Sequence, residues 1–231
     1  MTPLDLPDDL DGALFDLDRT LLDVNSGRLW LLAEWHEGRL SLRDLAWGGY
    51  WLTRYSLGHE DGLQQVFDTA TRTLEGQSEQ ALDQRVRTWF DRELGHRLRP
   101  GAAAALEAHR ARGHHLVMAT SSSIYVARRA METFGLADQV STTFHVQDDR
   151  FVGTIDRMAI GSAKQGAVAD WAAAHGHDLS RWAFYTDSIS DLTLLEQVGF
   201  PVAVHPDRRL ARVARAQGWP IVDWGQAPAR S

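Results

Sequence analysis

Residues 12–22 read GALFDLDRTLL, a short apolar run that changes abruptly to acidic and polar residues at Asp16. A run of this kind, bounded by turn-forming side chains, predicts a buried β-strand over residues 13–15. The segments HLVMA (115–119), WAFY (182–185) and PVAV (201–204) have the same form, and helical patterns follow these strands. Buried strands that alternate with helices are typical of a doubly wound parallel sheet with helices on both faces. We therefore predict an α/β fold.

One long stretch, from about residue 23 to residue 99, interrupts this alternation because its periodicity is helical almost throughout. Further helices are predicted there over 62–74 and 78–93. The expected organisation is an α/β core of residues 1–22 and 100–231, with a helical domain of residues 23–99 inserted between the first two core strands. Four tryptophans of the insert are expected to pack a small helical bundle, or one or two of them to line a substrate pocket: Trp30, Trp35, Trp47 and Trp51. Residues 140–155 predict a β-hairpin.

Composition narrows the class of protein. Lys and Arg number 24 against 31 Asp and Glu, for a net charge of -7, so nucleic acid and anionic membranes are not expected partners. The absence of cysteine excludes disulfides, thiolate metal sites and cysteine nucleophiles. No apolar run approaches the roughly 18 residues of a membrane span, and residues 1–10 lack the pattern of a secretory signal. We expect a soluble, cytoplasmic protein; the oligomeric state stays open.

Acidic residues follow two of the predicted strands. Asp16 and Asp18 bracket one residue, so in extended backbone both would face the same side. Such a pair caps the following turn, holds a cation between its carboxylates, or keeps a proton on one carboxyl. Asp187 and Asp191 follow the third apolar run and would bring four carboxylates into one crevice. Oxygen donors without cysteine or paired histidines favour Mg²⁺ over Zn²⁺ as the metal.

Two further features are candidates for binding an anion. Thr120, Ser121 and the two serines after them join a strand to a helix, where hydroxyl groups and free amides bind anions or simply cap the helix. Lys164 is the single lysine among the 24 basic residues. It is either an ordinary surface charge or a position that needs a compact ammonium group rather than a planar guanidinium.

These four segments resemble, in order and spacing, the four motifs of the haloacid dehalogenase-like phosphohydrolase superfamily. The helical insert is similar to the C1 cap domain of that superfamily, and the closest subgroup is the IB hydrolases, which include phosphoserine phosphatase. The resemblance implies a Rossmann-like core with a cap domain. It also implies an enzyme that uses Mg²⁺ to hydrolyse a small phosphomonoester.

The resemblance assigns a role to each matched residue. Asp16 is expected to be the nucleophile that forms an aspartyl-phosphate, and Asp18 the general acid and base. Thr120, or Ser121 because the register is ambiguous by one residue, and Lys164 are expected to hold the phosphate. Metal ligands are expected at Asp16, at the backbone carbonyl of Asp18 and at Asp187, while Asp191 is an outer ligand or a partner that orients Lys164.

The sequence departs from phosphoserine phosphatases near the first motif. Asn25 stands where those enzymes usually carry a Glu that binds the substrate ammonium, with Asp23 as the nearest alternative carboxylate, and Arg19 replaces a typical Ser. The Asp187-Ser188 form of the last motif and residues 218–222 resemble bacterial members of the subgroup, some of which act on histidinol phosphate. Candidate substrates are therefore histidinol phosphate as well as phosphoserine. Two other functions remain open: a phosphotransferase that uses the same aspartyl-phosphate, and a non-catalytic relative that binds phosphorylated ligands.

Overall fold

The computed structural model describes residues 5–56 and 71–228. Within these residues, one sheet contains β1 (Gly12–Phe15), β2 (His115–Ser123), β3 (Asp138–Gln147), β4 (Arg150–Arg157), β5 (Trp182–Thr186), β6 (Phe200–Val204) and β7 (Ile221–Val222). Their order across the sheet is β4-β3-β2-β1-β5-β6-β7, and all neighbours are parallel except β3 and β4. The prediction of a parallel α/β sheet is confirmed.

Helices cover both faces of this sheet. In the described chain they are α1 (Ser26–His36), α2 (Leu42–Ser56), α3 (Glu79–Glu93), α4 (Pro100–Ala111), α5 (Ile124–Phe134), α6 (Ser162–His175), α7 (Leu192–Leu195) and α8 (Arg208–Gln217). Local chemistry explains several of their ends: Ser78 accepts a hydrogen bond from the amide of Ala81 at the start of α3, and Gly176 takes left-handed backbone after α6.

Successive strand residues supply two separate hydrophobic cores. Leu14 and Phe15 are both fully buried, but Leu14 packs into the core beneath α6 and α8, and Phe15 into the core that includes α3, α4 and α5. Side chains on a strand alternate between the two faces, so a strand buried on both faces must be continuously apolar. This requirement explains the unbroken apolar runs in the sequence.

The inserted helices α1, α2 and α3 lie between β1 and β2 in the chain. Trp30 of α1 packs edge-on against Trp89 of α3, with ring centroids 5.0 Å apart. Trp35 and Trp47 are instead 36% and 40% exposed, so the prediction that they pack the core of a bundle is wrong for these two. Most of the helix predicted over 62–74 lies outside the described residues. Across the described part of the chain, no helix is long and apolar enough to cross a membrane.

The predicted hairpin over 140–155 is present as β3 and β4, joined by a turn in which Asp148 and Asp149 have positive φ. Because β3 also pairs in parallel with β2, the hairpin forms one edge of the main sheet. The order of the strands places the carboxyl ends of β1, β2 and β5 side by side at the centre of the sheet. Ligands of open α/β sheets bind at such ends.

Candidate active site

A crevice opens at the carboxyl ends of β1, β2 and β5. It brings together predicted site residues that are up to 175 positions apart (191 − 16) in the chain. Its lining consists of Asp16, Asp18, Arg19, Asn25, Ser121, Lys164, Asp187, Ser188, Ser190, Asp191 and Asp207. Of the predicted site residues, only Thr120 does not line it.

Asp16, Lys164 and Asp191 form a buried charged cluster at the floor of the crevice. The Nζ of Lys164 lies 3.0 Å from Oδ1 of Asp16 and 2.9 Å from Oδ1 of Asp191. Thr186 donates a 2.6 Å hydrogen bond to Oδ2 of Asp191, so this carboxylate is fixed from two sides. Lys164 is only 2% exposed. It is therefore not an ordinary surface charge, and it pairs with Asp191 as well as with Asp16.

The carboxylates of the crevice have unusual proton affinities. Burial raises the pKa of Asp16 to about 7, although the charge of Lys164 opposes the shift. Burial, followed by the negative charge of Asp16, raises the pKa of Asp187 well above its usual range. Within the described chain no group donates a hydrogen bond to the Asp187 side chain. A carboxylate that is buried without a donor, next to a second carboxylate, calls for a cation.

The donors in the crevice fit a hard divalent cation. The described residues contain no ready-made group of three His, Cys, Asp or Glu side chains around one point, so the carboxylates of Asp16 and Asp187 would need further oxygen ligands. Main-chain carbonyls and water supply such ligands for Mg²⁺, which usually keeps several waters. The carbonyl of Asp18 is the main-chain candidate.

Asp18 is held by three hydrogen bonds from two serines. The amide of Ser26 donates to Oδ1 at 2.5 Å, the hydroxyl of Ser26 donates to Oδ2 at 3.0 Å, and the hydroxyl of Ser122 donates to Oδ2 at 3.1 Å. Burial raises the pKa of Asp18, and these hydrogen bonds oppose the shift. Ser26 was not predicted as a site residue, and Ser122 was included only as part of the candidate anion-binding serine run. The position of Ser122 in the serine run was the only signal in the sequence for either of them.

The structure separates the two hydroxyl residues at the end of the second core strand. Thr120 is 1% exposed, and its Oγ1 accepts a hydrogen bond from the amide of Ser122 at 3.2 Å. Ser121 is half-buried and lines the crevice. Of the two, Ser121 is the residue that lines the crevice.

The structure also separates Asp23 from the crevice. Its carboxylate accepts a hydrogen bond from the amide of Ala227 at 3.1 Å and lies 3.9 Å from Arg97, so the interpretation of Asp23 as a substrate-binding carboxylate is wrong. Asn25 does line the crevice, but its Oδ1 caps α1 by accepting a hydrogen bond from the amide of Arg28.

The amino-acid sequence is similar to those of known proteins over most of its length. The family model described as haloacid dehalogenase-like hydrolase matches residues 13–196. The chain is 31% identical over 216 residues to the inhibition of morphological differentiation protein of Streptomyces azureus, covering 92% of this chain and 78% of that one. It is 25% identical over 220 residues to histidinol-phosphatase of Neisseria meningitidis serogroup C, with coverage of 92% and 98%. It is 28% identical over 233 residues to phosphoserine phosphatase SerB1 of Mycobacterium tuberculosis, with coverage of 96% and 72%.

Solved structures share the fold. A protein with unknown function from Bordetella pertussis Tohama I superposes with a TM-score of 0.78 at 28% identity, covering 93% of this chain and 98% of that one. A phospho-aspartyl intermediate analogue of phosphoserine phosphatase superposes with a TM-score of 0.66 at 16% identity, covering 94% of both chains. At 16% identity, this second match shows a shared fold alone.

Proposed function

Because the chain belongs to the haloacid dehalogenase-like hydrolase family, we propose that it is a Mg²⁺-dependent phosphomonoesterase in which Asp16 attacks the phosphorus of a small organophosphate. The observation that carries this proposal is the position of Asp16. It lies directly after β1 at the floor of the crevice, with Lys164 against one of its oxygens and Asp18 two residues away. A nucleophile, a cation and a second carboxylate are the groups that phosphoryl transfer through a carboxylate requires.

The first step transfers the phosphoryl group to the protein. An oxygen of the ionised Asp16 forms a bond to phosphorus while the bond from phosphorus to the ester oxygen breaks. Asp18 donates its proton to the departing alkoxide, and its raised pKa favours the protonated form that this role needs. The products are an alcohol and an aspartyl-phosphate at Asp16.

The second step returns the protein to its starting state. Asp18, now ionised, takes a proton from water, and the water oxygen attacks phosphorus. The bond between Asp16 and phosphorus breaks, inorganic phosphate leaves, and Asp18 is protonated again. The three hydrogen bonds from Ser26 and Ser122 hold the Asp18 carboxylate in one orientation through both steps.

Cationic and neutral donors complete the site. Lys164 offsets the repulsion between the Asp16 carboxylate and the phosphate dianion, and Asp191 fixes the ammonium in place. Ser121, rather than Thr120, supplies the hydroxyl for a phosphate oxygen. A Mg²⁺ ion held by Asp16, Asp187 and the Asp18 carbonyl would neutralise phosphate charge as a Lewis acid.

The inserted helices fit the role of a cap domain, which we propose spans residues 23–99 on a core of residues 1–22 and 100–231. The first helix of the insert touches the catalytic residues directly, because Ser26 at the start of α1 binds Asp18. Histidinol phosphate and phosphoserine are candidate substrates, since relatives are named for the hydrolysis of these two esters.

Asp16→Asn tests the proposal because it removes the nucleophile while nearly conserving the shape of the side chain. Phosphate release from p-nitrophenyl phosphate, histidinol phosphate and phosphoserine is measured with Mg²⁺ and with EDTA. The variant is expected to lose activity at least about 1,000-fold, and EDTA to inactivate the wild type. Asp170→Asn, at an exposed position of α6, is the matched control and should retain full activity. Near-normal turnover by Asp16→Asn would exclude Asp16 as the nucleophile.

A further inference from the structure

Arg19 is an exposed cation at the mouth of a crevice that is otherwise lined by acidic and neutral side chains and the buried Lys164. No carboxylate of the described residues lies within ion-pairing distance of its guanidinium. It nevertheless belongs to the lining of the crevice, together with the carboxylates of Asp16 and Asp187. Arg19 therefore borders the ligand space, and no carboxylate of the described residues pairs with its guanidinium.

The backbone fixes where this side chain begins. Arg19 has φ 60°, in the left-handed region that residues other than glycine, asparagine and aspartate seldom occupy. Its amide donates a 3.0 Å hydrogen bond to the carbonyl of Val24, which holds the turn in this form. An arginine kept in this conformation, one residue after Asp18, is strained relative to ordinary helical or extended backbone. Contact with a ligand would explain why an arginine occupies this strained position.

The carboxylates around Arg19 already have partners. Asp16 and Asp191 bind Lys164, Asp18 binds Ser26 and Ser122, and Asp187 is assigned to the metal. Asp207 accepts hydrogen bonds from the amides of Ile189, Arg209 and Leu210. The part of the crevice that the structure describes thus offers no spare carboxylate to a substrate ammonium, and Asn25 uses its oxygen to cap α1.

We propose that Arg19 determines specificity by binding a carboxylate of the substrate, so that the preferred substrates are phosphomonoesters of small hydroxy acids. This inference rests on the proposed phosphatase function and names its substrate class. A guanidinium binds a carboxylate through two parallel hydrogen bonds. Because the crevice already contains five carboxylates, a singly charged group matches one guanidinium better than a second phosphate dianion does.

Three esters of similar size test this specificity: phosphoglycolate, ethyl phosphate and phosphoethanolamine, which carry a carboxylate, no further charge and an ammonium. We expect kcat/KM of the wild type to decrease in that order, with phosphoglycolate about tenfold or more above ethyl phosphate, as one charge-assisted contact provides. In Arg19→Asn, which suits left-handed backbone, the ratio of the first two values should fall to about one. Arg28→Asn, an exposed position of α1, should keep the wild-type ratio.

Binding of phosphonates, which cannot be hydrolysed, separates this inference from the proposed function. By calorimetry, the wild type should bind 3-phosphonopropionate about tenfold or more tighter than propylphosphonate, and Arg19→Asn should bind both equally. If none of the three esters is hydrolysed but this difference in Kd is found, the proposed function fails and the role of Arg19 stands. An unchanged preference in Arg19→Asn, or a wild type that favours phosphoethanolamine, overturns the inference.

Discussion

Acidification is expected to destabilise this protein through His109, a histidine on α4 that is completely buried. Both of its ring nitrogens are engaged: Nε2 lies 2.7 Å from the hydroxyl of Tyr185, and Nδ1 lies 2.7 Å from Nδ1 of His114. A neutral imidazole can donate one of these hydrogen bonds and accept the other, whereas an imidazolium has no acceptor. Burial, together with the charges of His114 and Arg112, lowers the pKa of His109 from 6.5 to about 3.

The direction and size of the effect follow from proton linkage. Because the pKa of His109 is lower in the folded state, the unfolded state binds more protons between pH 6.5 and about 3. The stability that the neutral ring contributes is therefore complete above pH 6.5 and is lost as the pH falls through this window. One pH unit corresponds to about 1.4 kcal/mol per proton. Between pH 6.5 and pH 5 the free energy of unfolding should fall by about 2 kcal/mol from this residue alone.

Urea unfolding, followed by tryptophan fluorescence at several pH values, measures this loss. His109→Gln keeps a neutral polar side chain and should reduce the slope of unfolding free energy against pH by close to one proton. His36→Gln, at an exposed position at the end of α1, is the matched control and should leave the slope unchanged. Other histidines with lowered pKa values, such as His114, contribute to the slope in the wild type and in the His36→Gln control alike. Equal slopes for His109→Gln and the wild type would refute the reasoning.

Two further predictions concern the crevice. Lys164→Arg keeps the charge but should lower kcat at least about tenfold, because a planar guanidinium cannot place one donor between the oxygens of Asp16 and Asp191. Stopped assays of phosphate release measure kcat, with Arg208→Lys at an exposed position as the control. An unchanged kcat in Lys164→Arg contradicts the prediction. Ser121→Ala should lower kcat/KM about 10- to 100-fold. Thr120→Val should instead mainly lower the melting temperature, by the equivalent of about 1 kcal/mol, because the Ser122 amide loses its acceptor. The opposite pattern would assign phosphate binding to Thr120.

The parts of the fold that could be predicted obey local rules. A strand buried on both faces must be apolar at every position, so β1, β2 and β5 were visible as uninterrupted runs. Their polar ends then had to meet, because parallel neighbours end at the same edge of a sheet. This is why Asp16 and Asp187 could be expected to meet, whereas Lys164, 148 positions from Asp16, was expected in the site only from the resemblance to the family's motifs.

Contacts that depend on the packing of distant elements could not be predicted. Ser26 lies at the start of a helical pattern, and only the placement of α1 against the end of β1 brings it to Asp18. Asp23 looked like a possible ligand for an ammonium group, but the direction of its side chain is set by the amide of Ala227, which lies 204 residues away in the chain. The exposure of Trp35 and Trp47 is likewise a tertiary property, because tryptophan patterns do not show which helix face is covered.

Within the crevice, too, some residues are fixed by local rules and others are not. The residues proposed for the chemistry are therefore easier to recognise in the sequence than those proposed for substrate specificity. Asp16 and Asp187 directly follow β1 and β5, where the core dictates their position, and Lys164 lies in the first turn of α6. The proposed mechanism needs a carboxylate nucleophile and a compact cation at these positions. Arg19 and Asn25 lie in the short connection from β1 to α1, where no packing rule fixes their identity. Substitutions there can alter the charge offered to a substrate while Asp16, Lys164 and Asp191 keep their hydrogen bonds. The proposed substrate class therefore depends on residues of this connection rather than on the sheet.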